Sequence, residues 1–588
     1  MRDSNRGRGG ELAQTESIEF EFEGERLTGR RGESLAAALT AAGIRALRVT
    51  RDEQSRGMFC GMGVCQECLV EVDGVANQRA CMTKLKQPVS VRRQRHLAKA
   101  IAGGANQKPQ LIGAAALEPD ILVVGGGAGG LNAARSAALA GARVLLVDER
   151  PLPGGQYYKQ PLPIPALAEE NASDPQFAGG RALIDAAEAA GVTTLRGARI
   201  WGAFEPLELL ILENGMCRPC RPKRLIVAAG AYEHGLPIPG WTFPGVMTTG
   251  AAQTLLRSYR VLAGVRILIA GNGPLNFQVA LELARAGAEI VAVVELAQRL
   301  SSRTLPAFAT MLANAPALAL RGARYLAELR QRRIPVVYDS VLAEVAAGAR
   351  GLSGLVKRWP LDPRDAGRRF EADAICMGYG FMPSNEILRA LGCAHRFDPV
   401  RGHLVTERDA EQRTSVPEVY AVGDCAGLGG APAAEAEGII AGLAAARSLG
   451  CTASADQHRS EARARAALAR HRRFQQGLWK IFQAPRLTTE FATPDTIICR
   501  CEELSLSEIE AGLEPGFHSI GALKRRTRGG MGRCQGRYCG PILTALSAAR
   551  EGRALDEAGH WAPRPPITPI PIGQIVDDRP LTETSEAG

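Results

Sequence analysis

The sequence is poor in aromatic side chains and has no long apolar run. Phe, Trp and Tyr make up only 5% of its 588 residues, which argues against a platform that stacks single-stranded nucleic acid. No uninterrupted apolar stretch reaches the roughly 18 residues that a membrane-spanning helix needs. The polar opening, residues 1–16, lacks the apolar segment of a secretory signal. These absences predict a cytoplasmic protein without a transmembrane segment.

The chain is basic, but its basic residues are scattered. It has 71 Lys and Arg against 61 Asp and Glu, a net charge of +10. Because the arginines are spread along the sequence, the charge indicates general solubility, and we expect no nucleic-acid partner. Fourteen cysteines without a secretory signal indicate a reducing compartment, in which thiolates bind metals rather than form disulfides.

Eight of the fourteen cysteines form two sets of four. The spacings are C-x4-C-x2-C-x12-C and C-x-C-x32-C-x4-C. The members are Cys60, Cys65, Cys68 and Cys81 in the first set, and Cys499, Cys501, Cys534 and Cys539 in the second. The first spacing is that of plant-type ferredoxins, and Gly61 and Gly63 let backbone amides approach the sulfur atoms. Each set predicts a [2Fe-2S] cluster, while zinc and buried thiols remain alternatives.

A dinucleotide-binding pattern follows the first cysteine set. Gly125, Gly127 and Gly130 form a G-x-G-x-x-G turn between an apolar strand and a helix, and the next strand ends at Asp148. The glycines allow a pyrophosphate to approach the backbone at the N-terminus of the helix, and Asp148 is placed to bind ribose hydroxyls. The pattern therefore predicts a bound dinucleotide.

A later segment resembles the second FAD fingerprint of the glutathione-reductase-like flavoproteins. It covers residues 414–424 and ends in Gly423-Asp424. The resemblance implies that Asp424 contacts the ribityl chain, which makes FAD the expected cofactor. Gln156 lies in a loop that reaches toward the flavin in related proteins, although an ordinary turn residue is the alternative. The C-x4-C redox disulfide expected of glutathione-reductase-like enzymes does not follow Gly154 in this sequence.

A second strand–turn–helix unit begins at Val265. Gly271 and Gly273 keep the first two glycines, but Asn276 stands where the third small residue belongs. Glu295 ends the next strand and would favour an unphosphorylated ribose. The unit predicts a second nucleotide, such as NAD, or FMN at a subunit interface. The alternative is a Rossmann layer kept only for architecture.

The predicted fold class is α/β. A two-dinucleotide-binding-domain flavoprotein is flanked by a β-grasp ferredoxin-like domain and a small helical domain. The predicted segments are a disordered lead 1–16, the ferredoxin-like domain 17–95, a linker 96–118, the flavoprotein 119–455 with an NAD-like insert at about 241–370, a basic helical connector 456–494, a second cluster domain 495–552 and a proline-rich tail 553–588. In the connector, Phe474, Leu478, Trp479 and Phe482 have helical spacing and are expected to pack on a neighbouring domain.

Both cysteine regions resemble parts of known enzyme complexes. Residues 57–65 and Cys81 resemble the ferredoxin-like modules of hydrogen cyanide synthase, heteromeric sarcosine oxidase and opine dehydrogenases. Residues 499–539 resemble the bacterioferritin-associated-ferredoxin-like domain, although that family commonly closes with C-x2-C. Together the chain resembles the ferredoxin-like and FAD subunits of hydrogen cyanide synthase, opine oxidase and (hydroxy)proline dehydrogenase complexes, fused into one polypeptide.

This resemblance implies an electron-transferring subunit of a hetero-oligomer. A glycine-oxidase-like FAD subunit would oxidise an amine, amino acid, imino acid or opine, and this chain would pass the electrons to a downstream acceptor. Through that acceptor, peripheral association with the inner face of the membrane remains open. Two alternatives are a self-sufficient NAD(P)H-dependent reductase and a non-enzymatic redox-sensing or iron-handling protein.

The sequence shows no convincing acid–base constellation, so the catalytic residues stay unknown at this point. His234 is expected to be a structural loop residue. Cys217 and Cys220 form a C-x2-C outside both sets, and no helix N-terminus is predicted nearby to activate them. We expect this pair to be incidental.

Overall fold

The structure, a computed structural model, describes residues 17–95, 116–349, 351–513 and 519–572. The predicted lead, most of the predicted linker and the end of the predicted tail lie outside these residues. The described part contains four regions in chain order, and none of its helices is both long enough and apolar enough to cross a membrane.

The N-terminal domain is a five-stranded sheet with one helix packed on it. Its elements are β1 Ser17–Phe22, β2 Glu25–Arg30, α1 Leu35–Ala41, β3 Arg48–Val49, β4 Ser55–Arg56, β5 Leu69–Val72, β6 Val75–Arg79 and β7 Ser90–Arg93. The sheet has the order β2-β1-β7-β5-β6, with β1 and β7 parallel. Ile18, Phe20 and Phe22 are buried on one face of β1, so the alternating sequence builds an apolar surface for the fully buried helix α1.

The central region alternates strands and helices, as the sequence predicts. It begins with β8 Ile121–Val124, α2 Ala128–Leu139, β9 Val144–Asp148, α3 Ala168–Ser173, α4 Pro175–Ala189, β10 Thr193–Arg196, β11 Arg199–Phe204, β12 Glu208–Glu213, β13 Met216–Cys220, β14 Arg224–Val227 and β15 Ala231–Glu233. It continues with β16 Val246–Thr248, α5 Thr249–Tyr259, β17 Arg266–Gly271, α6 Pro274–Arg285, β18 Glu289–Glu295, α7 Leu305–Asn314, α8 Pro316–Gln331, β19 Val336–Val337, β20 Ser340–Gly348, β21 Gly351–Arg358, β22 Arg368–Ala372 and β23 Ala374–Gly378. It ends with β24 Phe381–Pro383, α9 Glu386–Ala390, β25 His395–Asp398, β26 His403–Thr406, β27 Val419–Ala421 and α10 Ala431–Arg447.

Two parallel sheets carry the two predicted dinucleotide units. The first has the order β10-β9-β8-β14-β27, and the second has the order β16-β23-β17-β18-β19. Every residue of β8 is buried, because other elements cover both faces of the sheet, which explains its continuous apolar sequence. The second sheet is completed by β23, just beyond the predicted end of the insert.

The predicted connector is one long helix, α11 Ala455–Ile481, whose first turn is closed by a capping box of Ser454 and Gln457. Phe474 is buried in an apolar cluster with Ala307 and Met311 of α7. The helix therefore packs on the second dinucleotide unit, as its aromatic spacing predicts.

The second cysteine region is a small, mostly helical domain. Its elements are β28 Ile497–Cys499, β29 Leu504–Ser505, α12 Leu506–Gly512, α13 Ile520–Thr527 and α14 Gly540–Glu551. Beyond α14 the chain returns across the flavoprotein. Ile567 is buried in the same core as β8 and β14, and its amide donates to the carbonyl oxygen of Trp201 at 2.7 Å.

The ferredoxin-like domain does not stand apart from the flavoprotein. One apolar cluster runs from Leu35 and Leu39 of α1 to Leu255 of α5 and Ile269 of β17. The carbonyl oxygen of Phe59 also accepts a hydrogen bond from the amide of Thr248 at 2.9 Å. The first cysteine loop is therefore fixed against the N-terminal end of α5.

Candidate functional site

The first glycine turn forms one wall of a cavity of about 350 Å³ at the carboxyl edge of the first sheet. Gly125 has a φ of 101°, in the left-handed region that favours glycine. A Cβ atom on Gly130 would lie 1.8 Å from the carbonyl oxygen of Gly125, so α2 can follow this turn only if no side chain is present there. Gly127 and the start of α2 border the cavity. The turn thus offers the cradle that a pyrophosphate requires.

Asp148 and Gln156 line the same cavity. The Asp148 carboxylate accepts hydrogen bonds from the amides of Gly126 at 2.6 Å and Arg150 at 2.7 Å. Burial raises the pKa of Asp148 above its usual value. Gln156 is exposed at the cavity surface. Both predicted residues therefore lie where they could meet a dinucleotide, and the glycine turn itself holds Asp148 in place.

Gly423 and Asp424 close the cavity from the end of β27. Oδ1 of Asp424 accepts hydrogen bonds from the amides of Gly429 at 2.9 Å and Gly430 at 2.8 Å. The amide of Gly423 donates to Glu437, whose carboxylate also pairs with Arg408 through two hydrogen bonds. The structure therefore brings together the predicted FAD residues of both fingerprints, although they are far apart in the sequence.

The second dinucleotide unit borders a separate cavity of about 360 Å³, but only Gly273 of its four predicted residues lines that cavity. Asn276 is buried and hydrogen-bonds Thr249 at 3.0 Å and the carbonyl oxygen of Gly378 at 3.1 Å. Glu295 has no exposed surface, and its carboxylate accepts hydrogen bonds from the amides of Gly273 and Ala297. Burial raises the pKa of Glu295 to about 7. Both side chains are therefore hydrogen-bonded within the second dinucleotide unit.

The cavity that contains the predicted FAD residues is called the flavin cavity below. Three further residues of interest lie outside it. His234 is half-buried beside the second cavity, where its buried Nε2 has no hydrogen-bond partner among the described residues, and burial lowers its pKa to about 4. Cys217 and Cys220 lie on β13, where Cys217 accepts a hydrogen bond from Trp201 Nε1 at 3.1 Å. None of the three borders the flavin cavity.

The first cysteine set is buried in a loop shaped by Gly61 and Gly63, which both have positive φ. Cys60 Sγ accepts hydrogen bonds from the amides of Met62 at 3.5 Å and Cys65 at 3.4 Å. Burial alone would raise the pKa of Cys60, but hydrogen bonds from Cys65 and loop amides outweigh it and lower the pKa to about 6. The loop thus favours a thiolate at Cys60, the form that binds metal.

The thiols within each set contact one another. In the first set, Cys60 pairs with Cys65 and Cys68 with Cys81. In the second, Sγ of Cys501 lies 3.7 Å from Sγ of Cys534, and Cys499 contacts both Cys501 and Cys539. Within the described ranges, no three His, Cys, Asp or Glu side chains are grouped around a single metal position. Four thiols brought together in this way fit a cluster with two irons, each held by two thiolates.

Aromatic rings join the two cysteine loops to the flavin cavity. Phe59, which precedes Cys60, and Tyr538, which precedes Cys539, have ring centroids 5.4 Å apart. The ring of Tyr232 lies 5.7 Å from that of Tyr538, and Tyr232 lines the flavin cavity. All three residues are buried. The two cysteine sets and the cavity therefore converge on one aromatic contact, which no sequence motif predicted.

A buried ion-pair network runs beside these rings. Arg500, between Cys499 and Cys501, contacts Glu67, between Cys65 and Cys68, with Nη2 3.1 Å from Oε2. Arg48 pairs with the other oxygen of Glu67 at 2.6 Å. Burial would raise the pKa of Glu67, but the charges of Arg48 and Arg500 outweigh it and lower the pKa. The guanidinium of Arg500 also lies 4.0 Å from the centre of the Phe59 ring.

Both cluster loops also contribute walls to the flavin cavity. Met62 and Val64 come from the first loop, and Arg537 comes from the second. Arg537 pairs with Glu386 of α9 at 3.1 Å, and Arg79 pairs with Glu149 at 2.8 Å. No sequence motif predicts a role for these residues, although most lie within three positions of a predicted cluster cysteine.

Comparison with known proteins matches three families along the chain. Residues 15–96 match a 2Fe-2S iron-sulfur cluster binding domain, residues 119–438 match the pyridine nucleotide-disulphide oxidoreductases, and residues 494–579 match the sarcosine oxidase A3 domain. An opine oxidase subunit of Rhizobium meliloti (strain 1021) is 31% identical over 78% of this chain and 98% of that protein. Hydrogen cyanide synthase subunit HcnB of Pseudomonas aeruginosa is 33% identical over 77% of this chain and 97% of that protein.

The chain belongs to the pyridine nucleotide-disulphide oxidoreductase family and groups with these oxidase subunits. It is also 25% identical to the alpha subunit of sarcosine oxidase from Corynebacterium sp. (strain P-1), over 95% of this chain and 56% of that protein. The crystal structure of L-proline dehydrogenase from P. horikoshii covers 98% of this chain with a TM-score of 0.69 and 18% identity. That likeness confirms the fold.

The family therefore confirms an FAD-dependent oxidoreductase subunit with an N-terminal [2Fe-2S] domain. The predicted resemblance to opine oxidase and hydrogen cyanide synthase subunits is also confirmed. The match over residues 494–579 extends past the predicted end of the second cluster domain at 552. The second cluster and the second nucleotide stay predictions.

Removing either predicted flavin carboxylate should weaken the retention of FAD. For Asp148→Ala and for Asp424→Ala we expect a loss of about 1–3 kcal/mol, the scale of a hydrogen bond to a charged group. The flavin content after dialysis and the Kd from flavin fluorescence measure this loss. Asp456→Ala, which removes an exposed carboxylate from α11, is the control. Unchanged flavin content in both cavity variants would rule out these roles.

The two cysteine sets should hold about four iron and four acid-labile sulfide atoms per chain, two of each in each cluster. Cys65→Ser and Cys534→Ser should each reduce both values by about half, because each removes a ligand from one set only. Cys217→Ser should leave both values unchanged. Stoichiometric zinc together with only about two irons in the unchanged chain would exclude the second cluster.

Proposed function

We propose that this chain is the electron-transferring subunit of a heteromeric dehydrogenase that acts on amino acids, imino acids or opines. A glycine-oxidase-like FAD subunit would oxidise the CH–NH bond, and this chain would carry the electrons to a downstream acceptor. The observation that carries the proposal is the contact of Phe59, Tyr538 and Tyr232, where both cysteine loops meet the flavin cavity.

The environment of this contact suits electron transfer. A flavin exchanges two electrons and a [2Fe-2S] cluster exchanges one. Two clusters can therefore accept, one each, the two electrons that a reduced flavin releases. The rings are buried, and Glu67 is balanced by Arg48 and Arg500. Little solvent can therefore reorganise around this region when its charge changes.

The ionisable groups of the flavin cavity give no support to amine oxidation within this chain. Its four acidic residues are all engaged: Asp148 and Asp424 accept backbone amides, Glu149 pairs with Arg79, and Glu386 pairs with Arg537. A general base needs a carboxylate or imidazole that is free to approach the substrate. We infer that the base belongs to the partner.

The names of the relatives also support a subunit role. The relatives from opine oxidase, hydrogen cyanide synthase and sarcosine oxidase are each named as one subunit of a larger enzyme. These names support a hetero-oligomer and a substrate with a carbon–nitrogen bond, while the individual substrate stays open among glycine, sarcosine, proline, hydroxyproline and opines.

The isolated chain should not oxidise an amino acid. After anaerobic mixing with amino acids, imino acids and opines, its flavin absorbance should persist, because among the described residues no free carboxylate or imidazole lines the cavity. Addition of the partner subunit should confer dye-linked dehydrogenase activity. In that complex, Cys65→Ser should slow acceptor reduction while the partner's flavin remains reducible, and Cys217→Ser should have no effect.

The same experiment separates the alternatives. Rapid bleaching of the isolated chain by any of these substrates would place a catalytic site inside residues 119–455 and contradict the proposal. Rapid bleaching by NADH or NADPH would favour a self-sufficient reductase. Absence of turnover in the complex, with only protein binding, would favour a redox-sensing or iron-handling role.

A further inference from the structure

We infer that the helical hairpin of α7 and α8 is a docking surface for an anionic lipid bilayer, on which this chain lies without crossing it. The hairpin belongs to the second dinucleotide unit. It combines an exposed apolar face with arginines, and its only acidic residue, Glu328, lies near its end and is ion-paired. No residue of the hairpin lines the flavin cavity or belongs to a cysteine loop.

Helix α7 is apolar on two opposite faces. One face is buried: Ala307 and Met311 pack against Phe474 and Ile481 of α11. The opposite face, with Leu305, Ala309 and Leu312, is exposed to solvent. A surface helix of a globular protein usually has polar residues on that side. The second apolar face therefore needs an explanation outside this chain.

The exposed leucines continue beyond α7. The exposed fraction is between 40% and 62% for four of them within one segment: Leu300, Leu305, Leu312 and Leu320. Only alanine and proline side chains add to the exposed apolar surface between Leu312 and Leu320. Exposed leucines that recur within one short segment, in contrast to single scattered ones, mark an interaction surface.

The charge around these leucines has one sign. Between Glu295 and Glu328 the sequence has no acidic residue but has four arginines, Arg299, Arg303, Arg321 and Arg324, all exposed. Glu295 is fully buried, and Glu328 pairs with Arg285 and Arg332. Among the described residues, the last three of the four arginines form no ion pair. Their charge is therefore available to an anionic surface.

This combination fits a bilayer better than a protein partner. The core of a protein interface is enriched in aromatic residues and ringed by polar groups of both signs. Here the exposed apolar residues are leucine, alanine and proline, and the unpaired charge around them is positive. Leucines that enter the headgroup boundary and arginines that pair with lipid phosphates are typical of peripheral membrane helices.

Vesicle sedimentation of the full, flavin-loaded chain tests the inference. The chain should bind vesicles of phosphatidylcholine with about 30 mol% phosphatidylglycerol, and should not bind phosphatidylcholine alone. Leu305→Ser/Leu312→Ser should reduce the partition coefficient at least tenfold, on the order expected for two leucines removed from a nonpolar environment. Arg303→Gln/Arg321→Gln/Arg324→Gln should reduce it by a similar factor and also weaken its dependence on salt.

A matched control separates this surface from general hydrophobicity. Val75→Ser/Leu139→Ser removes two apolar side chains that are 56% and 54% exposed elsewhere, and should bind vesicles like the unchanged chain. Absence of binding to the anionic vesicles, or an equal loss in this control, would overturn the inference. So would a leucine variant that keeps vesicle binding but no longer joins the partner subunit, because the hairpin would then be a protein contact. None of these outcomes depends on electron transfer.

Discussion

The fully buried carboxylate of Glu67 holds the two cysteine loops together. It lies beside Cys68 in sequence and pairs with Arg48 of its own domain and with Arg500, which separates Cys499 from Cys501. Each buried ion costs several kcal/mol to desolvate, and the removal of one partner leaves an uncompensated charge that costs about 3–5 kcal/mol. The charges of Glu67, Arg48 and Arg500 therefore stabilise one another. Any separation of the two loops would expose these charges to solvent or leave them buried without a partner. The contacts of Phe59 with Tyr538, and of both cysteine loops with the flavin cavity, depend on this arrangement.

Apolar packing elsewhere in the fold also holds the two cysteine domains against the flavoprotein. The ferredoxin-like domain shares an apolar core with α5 and β17, while the segment after α14 inserts Ile567 into the core of the first sheet. The cysteine domains are thus fixed on both sides of the flavoprotein, which suits a protein whose proposed work is to pass electrons between centres. The proposed membrane surface on α7 and α8 belongs to the second dinucleotide unit and leaves these contacts unchanged.

Local features were predictable from the sequence, while contacts between distant segments were not. The glycine turn at Gly125–Gly130 and the cysteine spacings are set by short-range geometry, and the alternation of β1 follows from one buried face. Arg500 and Glu67 are 433 residues apart, so no local pattern could pair them. The spacing of Asn276 and Glu295 leaves open whether they meet a nucleotide or serve only the architecture; both are buried, and the second nucleotide stays a prediction. The scatter of the arginines along the sequence indicates general solubility, whereas in the structure several form buried ion pairs and others lie on one hairpin.

The electron paramagnetic resonance spectrum of the fully reduced chain tests most directly whether the two clusters are neighbours. Cys65→Ser and Cys534→Ser should each leave one cluster and give its spectrum alone. If the loops meet as described, the spectrum of the unchanged chain should be broadened or split by spin–spin interaction, and its signals should relax faster than those of either variant. A spectrum equal to the sum of the two single-cluster spectra, with unchanged relaxation, would contradict this account.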